Sequence, residues 1–481
     1  MATLLTNKYK LRNARKILEL FSSSSDSVYC FIGKFRGWTS DPDPDTPGNS
    51  FNGEIDIWDE IIYANKVSSN DASLVIPYVL YDTSGATTYD PWDDTDDMSG
   101  KNWYVMNSSN QVYKCISNNG GEISDTTPSA DTVSGVIHHN GNGEDGYIWK
   151  YMYTADNTTK FLSNDIGFKW FPIEHLSLDD SSDQWDIQKN AVHGSVEYIK
   201  STNSNLYEDL TVGHAVTLVG NGEDFAGVVA QHSSLKAGYD NKYINITNSG
   251  KNYTKVSKVL VNGSNDDDLR AIISPIGGHG FNASKELNST SFMVTSEFSD
   301  ANIDLGTSQQ YRQVGLLLNP IVSWGEYDDI TSSGSSISSG TRFSGSIAHQ
   351  LVKIKYDDTV ETQITTDFPL DVSIYQGAID SETAKGNVVR IDTSNKFLYV
   401  VTTDGGFVKP TSGVTSTYIT NGNNSATLTD TSVLTLENYE GTSSSILYAL
   451  KRYSGDIIYL DNFTPISRTS SKETVRIVIQ F

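Results

Sequence analysis

The stretch Val28 to Phe35 is apolar on both faces, with Val28, Cys30 and Ile32 alternating with Tyr29, Phe31 and, further on, Phe35. A strand built this way cannot lie at a surface, because either face left open would expose a row of large apolar side chains. It has to be covered on two sides. With 481 residues the chain is long enough to provide that cover, and long enough for two or three domains that each bury a substantial core.

Other segments are strand-like. Trp103–Met106 and Gln111–Ile116, joined by the turn-forming Asn107–Asn110, predict a hairpin. In Tyr147–Tyr153, Tyr147, Trp149, Tyr151 and Tyr153 share one face, opposite Ile148, Lys150 and Met152. Four aromatic rings on one face require an opposing layer or a partner surface, and an opposing sheet is expected. Beyond Tyr198, short strands follow between Gly- and Asn-rich turns: His214–Val219, Gly227–Ala230 and Tyr243–Thr247. A similar order returns in Leu370–Tyr375, Gly386–Ile391 and Phe397–Val401, which suggests two small β modules of related plan. Between them, Thr331–Gly340 is Ser/Gly-rich and reads as a flexible linker or exposed loop. The chain end predicts a strand over Ile457–Leu460, a polar turn through Asp461–Thr464, and a closing strand in which Val475, Ile477, Ile479 and Phe481 alternate with Arg476 and Gln480. Such an ending ties the C-terminus into a sheet. The aromatic content of 11%, with 26 Tyr, fits the same expectation of a mainly β fold.

Two helices are expected. Leu11, Ala14, Ile17, Leu18 and Phe21 recur at helical spacing while Lys10, Arg12, Arg15 and Lys16 take the other faces. This helix, ended by Ser22–Ser25, is expected to pack on its own sheet. A second is predicted from about Ile55 to Val67, with Ile57, Trp58, Ile61 and Ile62 on one side and Asp56, Asp59 and Glu60 opposing the dipole in its first turn.

The formal net charge of −24, from 59 acidic against 35 basic residues, repels phosphate backbones and argues against nucleic-acid binding. Cys30 and Cys115 sit in apolar strand-like stretches and read as small hydrophobes of a reducing compartment. No signal-peptide pattern opens the sequence and no apolar run approaches the roughly 20 residues that span a bilayer, so a protein made and kept in cytoplasm, away from membranes, is expected.

None of the constellations that could carry chemistry is complete. Gly141, Gly143 and Gly146 have the G-x-G-x-x-G spacing of a dinucleotide loop, but a polar loop precedes them and an aromatic strand follows. Asp41, Asp43 and Asp45 alternate like the start of a calcium loop, yet Gly48 falls two places late, Asn52 stands where Glu is needed, and Pro42 and Pro44 restrict the turn. The acidic runs Asp93–Asp97 and Asp266–Asp268 read as solvated loops. His138 and His139 point to opposite faces of a strand and have no Cys partner at zinc spacing. His279, in Gly277-Gly278-His279-Gly280, reads as part of a Gly-rich turn after the strand Ala271–Ile276, with no nucleophile elbow beside it. No catalytic, cofactor-binding or metal-ligating residue is assigned, and the partner interface is not legible.

Read together, several segments resemble the dimeric baseplate wedge subunit of T4-type contractile-tailed phages, the gene product eight family. The closest likeness is Ser454-Gly-Asp-Ile-Ile-Tyr-Leu-Asp-Asn-Phe-Thr-Pro-Ile-Ser-Arg468 with Glu473-Thr-Val-Arg-Ile-Val-Ile-Gln-Phe481. Asp145-Gly-Tyr-Ile-Trp-Lys-Tyr-Met-Tyr153, Ala271-Ile-Ile-Ser-Pro-Ile-Gly-Gly-His-Gly280 and Arg312-Gln-Val-Gly-Leu-Leu-Leu-Asn-Pro320 are similar in the same order. The resemblance implies a β-sandwich core with peripheral helices, a homodimer with other wedge proteins as partners, no catalytic residues, and assembly in host cytoplasm into the virion tail. It divides the chain into core at 1–199, an inserted β module at 200–268, core at 269–330, a Ser/Gly-rich linker at 331–345, a second inserted module at 346–445, and core at 446–481. The two insertions have no counterpart in the family. A carbohydrate-binding or carbohydrate-cleaving tail protein, built on aromatic strands and acidic loops, is the alternative, as is another baseplate component such as a fibre adaptor.

Overall fold

The computed structural model describes residues 4–129, 138–139, 145–155, 160–162, 170–202, 207, 209–231, 242–299, 310–321, 347–349, 351–355, 364–394, 397–405, 407, 418–428, 434–435, 448–450, 452–466 and 472–481. The fold is mainly β and sandwich-like. Two compact units are formed, each from separated stretches: Met1–Arg15, Ser73–Met293 and Val478–Phe481 make the first, Lys16–Ala72 and Val294–Ile477 the second. The predicted linker at 331–345 lies outside the described residues.

The second unit is organised around the strand that is apolar on both faces. Val28–Gly33 is buried at every position. It pairs antiparallel with Tyr311–Leu318 on one side, Val28 opposite Leu318, and with Ile61–Val67 on the other, Val28 opposite Val67. Asp456–Ile466, Ile347–His349 and Tyr448–Ala449 complete a six-stranded sheet. Tyr29 and Phe31 pack with Trp58, Ile61, Ala64 and Leu317. Burying side chains of this size contributes about 1.5–3 kcal/mol each. From the other face, burial pushes the Cys30 thiol up to about 12, against the pull of a hydrogen bond with Ser296. Both cysteines are free and buried, as small hydrophobes would be.

The predicted second helix is half right. Phe51–Trp58 is helical, with the Ser50 hydroxyl accepting from Gly53 N–H as its cap and Glu54 in its first turn, but Ile61–Val67 is a strand. Asp59 closes the helix at its C-terminal end and does not open it. The run Ile61-Ile62-Tyr63 is β-branched and aromatic, and a sheet slot beside Val28–Gly33 suits it better than a helix interior. Asp183–Lys189, Ala283–Glu286 and Ile364–Asp367 are also helical, though four to seven residues leave no periodicity to read in the sequence. In the first helix, Asn7–Ser22, the expected apolar residues Leu11, Ala14 and Phe21 are buried.

The chain end also differs from expectation. Asp461–Thr464 is not a turn but part of one long strand, Asp456–Ile466, paired with Tyr311–Leu318. Its polar residues find partners there: Gln313 Nε2 donates to Asn462 Oδ1 at 2.8 Å and Trp38 Nε1 to the Phe463 carbonyl at 2.9 Å. Lys472–Gln480 belongs to a separate four-stranded sheet. The C-terminus is tied in as predicted, with Phe481 N–H donating to the Thr290 carbonyl and its ring stacked on Phe292.

In the first unit the predicted hairpin is present. Tyr104–Met106 pairs with Gln111–Ser117, Val105 opposite Tyr113, and in the turn Asn107 Oδ1 accepts from Ser109 and Gln111 N–H. Gln111–Ser117 pairs in turn with Ile148–Thr154. The aromatic face of that strand is covered, but not by the expected sheet. Tyr81 and Tyr89 from an irregular segment and Ile187 from the helix Asp183–Lys189 pack on Tyr147, Trp149 and Tyr151. Tyrosine hydroxyls need polar partners when buried, and loop backbone provides them where a sheet's is already paired. Tyr147 Oη accepts from Tyr89 N–H and donates to the Glu122 carbonyl. A two-stranded sheet, Val196–Ser201 with Leu269–Ile273, covers the opposite face through Ile148, Ile116, Tyr198 and Ile272.

The predicted strands beyond residue 200 fall in two further sheets. Ala215–Gly220, Glu223–Gln231, Lys242–Lys251, Val256–Val261 and Ser264–Asp266 make a five-stranded sheet in the first unit, its core of Val216, Val229, Ile244 and Val259 continuous with Ile199 and Ala271. A seven-stranded sheet in the second unit contains Ser373–Gln376, Ala384–Asp392 and Phe397–Gly405.

Gly315 faces Phe31 across the central pairing, and a Cβ there would come within 2.4 Å of the Phe31 ring and 2.6 Å of the Tyr459 carbonyl oxygen. Gly315→Val is therefore expected to lower unfolding free energy by at least about 1–3 kcal/mol. At Gly48 a Cβ would meet nothing within 4 Å, so Gly48→Ala is expected to stay within about 0.5 kcal/mol of the parent. Denaturant titrations of the two variants check the difference.

Candidate functional site

The motifs singled out in the sequence are put to structural use. Arg312, from the Tyr311–Leu318 strand, binds Asp41 Oδ1 through Nε at 2.9 Å and Asp41 Oδ2 through Nη2 at 3.3 Å. That hydrogen bonding holds the Asp41 carboxyl below the usual carboxylate range. Asp45 accepts from Thr39 N–H and hydroxyl. The calcium-like alternation is thus an ion-paired loop. Gly141 and Gly143 lie outside the described residues, as do the side chains of His138 and His139, whose backbone pairs with Trp149 and Ile148. Asp266 Oδ1 accepts from Asp268 N–H in an exposed turn.

The expectation of a solvated loop fails at Asp93. This carboxylate is only 4% exposed. Arg270 Nη2 lies 2.6 Å from both its oxygens and Lys200 Nζ 2.9 Å from Oδ2. Lys200 and Arg270 are register partners on the two-stranded sheet, so their like charges face each other and Asp93 neutralises the pair. Burial opposes ionisation of Asp93, but Thr95 N–H and hydroxyl, Lys200 and Arg270 outweigh it and hold the carboxyl far below its usual range.

The main convergence of ionisable groups was not assembled from sequence. Lys114 and Lys150 stand opposite each other on Gln111–Ser117 and Ile148–Thr154. Glu197 comes from Val196–Ser201, Glu286 from Ala283–Glu286, and His279 from the Gly-rich turn. All five are buried. Lys114 Nζ lies 2.7 Å from Glu197 Oε2, also contacts Glu286 Oε1, and sits 4.3 Å from the centre of the Trp92 ring. Burial alone would lower its pKa, yet the two carboxylates push it above the usual lysine value. Lys150 is poorly served, with Glu197 Oε1 at 3.8 Å, and burial pushes its pKa down. Glu286 Oε2 accepts from Gly280 N–H at 2.7 Å. His279 has acceptors at both nitrogens, Glu286 Oε1 at 3.0 Å from Nδ1 and the Tyr151 carbonyl at 2.8 Å from Nε2.

Glu197, His279 and Glu286 bring one ligand atom each to within 4.8 Å of one another, close enough for a cation. The Lys114 ammonium already stands against both carboxylates, so the cluster carries its own positive charge and is not read as a metal centre. One signal in the sequence pointed to it: Lys114, Lys150 and Glu197 are charged residues in the middle of apolar strands. A charge there is either an error of assignment or a paired buried ion.

No protein-family model matches the chain, and no curated protein matches it at a significant level. No helix among the described residues is long and apolar enough to cross a membrane.

Lys114→Met would remove the one ammonium in close contact with both carboxylates and is expected to cost about 3–5 kcal/mol in denaturant unfolding. Adding Glu197→Gln and Glu286→Gln is expected to recover much of that loss. For Asp93 the sign is set by a folded-state pKa below the unfolded value of about 3.9. Its stabilisation is present above that pH and lost as the pH falls further, so the stability gap between the parent and Asp93→Asn, followed by acid unfolding, should hold from pH 6 to about pH 4 and narrow below it.

Proposed function

We propose that the chain is a non-catalytic structural subunit of a contractile phage tail baseplate wedge, which positions neighbouring wedge proteins through protein–protein contacts. One observation carries this reading: the segments that resemble the gene product eight family, in the family's order, fall on hydrogen-bonded strands of the fold and the turn that follows one of them. They include Ile148–Thr154, Leu269–Ile273 with its Gly-rich turn, Tyr311–Leu318, Asp456–Ile466 and Lys472–Gln480. Resemblance on paired strands is what a shared scaffold would leave as connecting loops diverge.

The chemistry points the same way. The five ionisable groups that converge in the first unit are buried and pair with one another. Tyr147, Trp149 and Tyr151, on which a sugar-binding reading would draw, are buried in a core, and Asp93 is ion-paired. In the proposed role, rigid sheets fix the spacing of partners while loops and the insertions at 200–268 and 346–445 make contacts that rearrange when the baseplate changes state. The subunit is a homodimer, assembles with the other wedge proteins in host cytoplasm, and ends in the virion.

Purified protein is expected to scatter light at twice the chain mass and to bind the other wedge proteins of its phage in pull-downs. A monomer that ignores them, or a protein that retains host polysaccharide on a glycan array, would defeat the proposal.

A further inference from the structure

The charged cluster contains three bases, Lys114, Lys150 and His279, against two carboxylates, Glu197 and Glu286. With two protons on the three bases its net charge is zero; with three it is +1, and with one it is −1. Either imbalance would be confined to a buried site, and uncompensated buried charge is strongly unfavourable. Lys114 keeps one proton, because both carboxylates and the Trp92 ring face it. The second belongs to Lys150 and His279 jointly. Lys150 is the stronger base but has one distant acceptor, whereas His279 is the weaker base with an acceptor at each nitrogen.

His279 is also the inward anchor of a backbone that only glycine can follow. Gly277 and Gly278 have φ of +101° and +99°, and a Cβ on Gly278 would lie 2.5 Å from the Val192 carbonyl oxygen. Besides His279, the turn is tied by Gly280 N–H to Glu286 Oε2 within the same cluster and by Gly277 N–H to His193 Nδ1 at 3.2 Å, and the Phe281 ring lies 6.3 Å from that of His175. On its outside the turn displays Ile276 and Phe281, 77% and 44% exposed.

We infer that the cluster is a proton-counting latch: the turn from Pro275 to Asn282 is closed when two protons sit on the three bases, and opens when a third enters. The inference is independent of the assembly role proposed above. His279 is faced by Lys114, Lys150, Glu197 and Glu286, from the three strands and the short helix packed around it. Burial, then the Lys150 charge, push its pKa down, and burial pushes Lys150 down as well, as sharing of one proton requires. With a folded-state affinity below the unfolded value of about 6.5, closure is fully stabilised above that pH and weakens as the pH falls. Removing Lys150 reverses the sign. Two carboxylates then face Lys114 and His279 alone, neutrality needs His279 protonated, and closure weakens as the pH rises.

Hydrogen exchange of the amides from Gly277 to Leu287 in the full chain, corrected for intrinsic rates, tests this between pH 8 and pH 5. The parent is expected to exchange faster below about pH 6.5, by up to about tenfold per pH unit for one linked proton. Lys150→Met is expected to show the opposite slope, and His279→Gln a flat profile. A flat parent profile, or parent and Lys150→Met profiles of the same slope, would overturn the latch. Should Lys150→Met fail to fold, ¹⁵N resonances of the His279 ring in the parent decide: proton uptake displaced below the ordinary histidine value of about 6.5 is expected, and uptake at that value rejects the inference.

Discussion

A lysine ammonium with no exposure to solvent is expensive to bury, and in the first unit the surrounding structure is arranged to meet that cost. Lys114 is held by Glu197 and Glu286 and lies over Trp92. These partners come from a strand, a one-turn helix and an irregular segment that are far apart in sequence, so no local piece of chain can neutralise the charge by itself. The strand pairings, the Gly-rich turn and the Asp93 clamp on Lys200 and Arg270 keep those donors and acceptors in place. Buried ion networks of this kind contribute little net stability against an apolar core of the same volume, while losing one member is costly. Their effect is to make alternative packings of the same strands unfavourable.

The second unit solves a different problem with apolar surface. Val28–Gly33 is buried throughout, flanked by hydrogen-bonded strands on both edges and packed on both faces. The close approach of Phe31 to Gly315 shows how little slack that arrangement leaves. Polar residues near this sheet are ordered by specific bonds, with Arg312 gripping Asp41 and Asn462 receiving Gln313. Rigid sheets with ordered rims suit a component whose work is to hold distances, which is the sense of the proposed wedge role.

Burial also changed the meaning of the residues that looked most like chemistry. Tyrosines and a tryptophan on one strand face, which could have lined a sugar cleft, are covered by Tyr81, Tyr89 and Ile187. An aspartate that headed an acidic run is the most firmly paired of its group. Residue type set the chemical capacity in each case, and the covering layer decided its use.

Much of the strand content was legible from residue patterns, because period-two alternation and both-face apolar runs are local: Val28–Gly33, the Asn107–Asn110 hairpin and Ile148–Thr154 needed no tertiary information. Local pattern failed where a competing slot or partner decided the outcome. Ile61–Val67 left the predicted helix for a sheet position, and Asp461–Thr464 is extended in its pairing with Tyr311–Leu318, where Gln313 donates to Asn462 and Trp38 to the Phe463 carbonyl. The charged cluster left a trace in the sequence, since Lys114, Lys150 and Glu197 each lie among apolar residues of a strand, but the strand patterns did not single them out. That they meet one another, Glu286 and His279 was decided by tertiary structure alone, since electrostatic pairing depends on distance in space and sequence carries no measure of it across the 172 residues from Lys114 to Glu286.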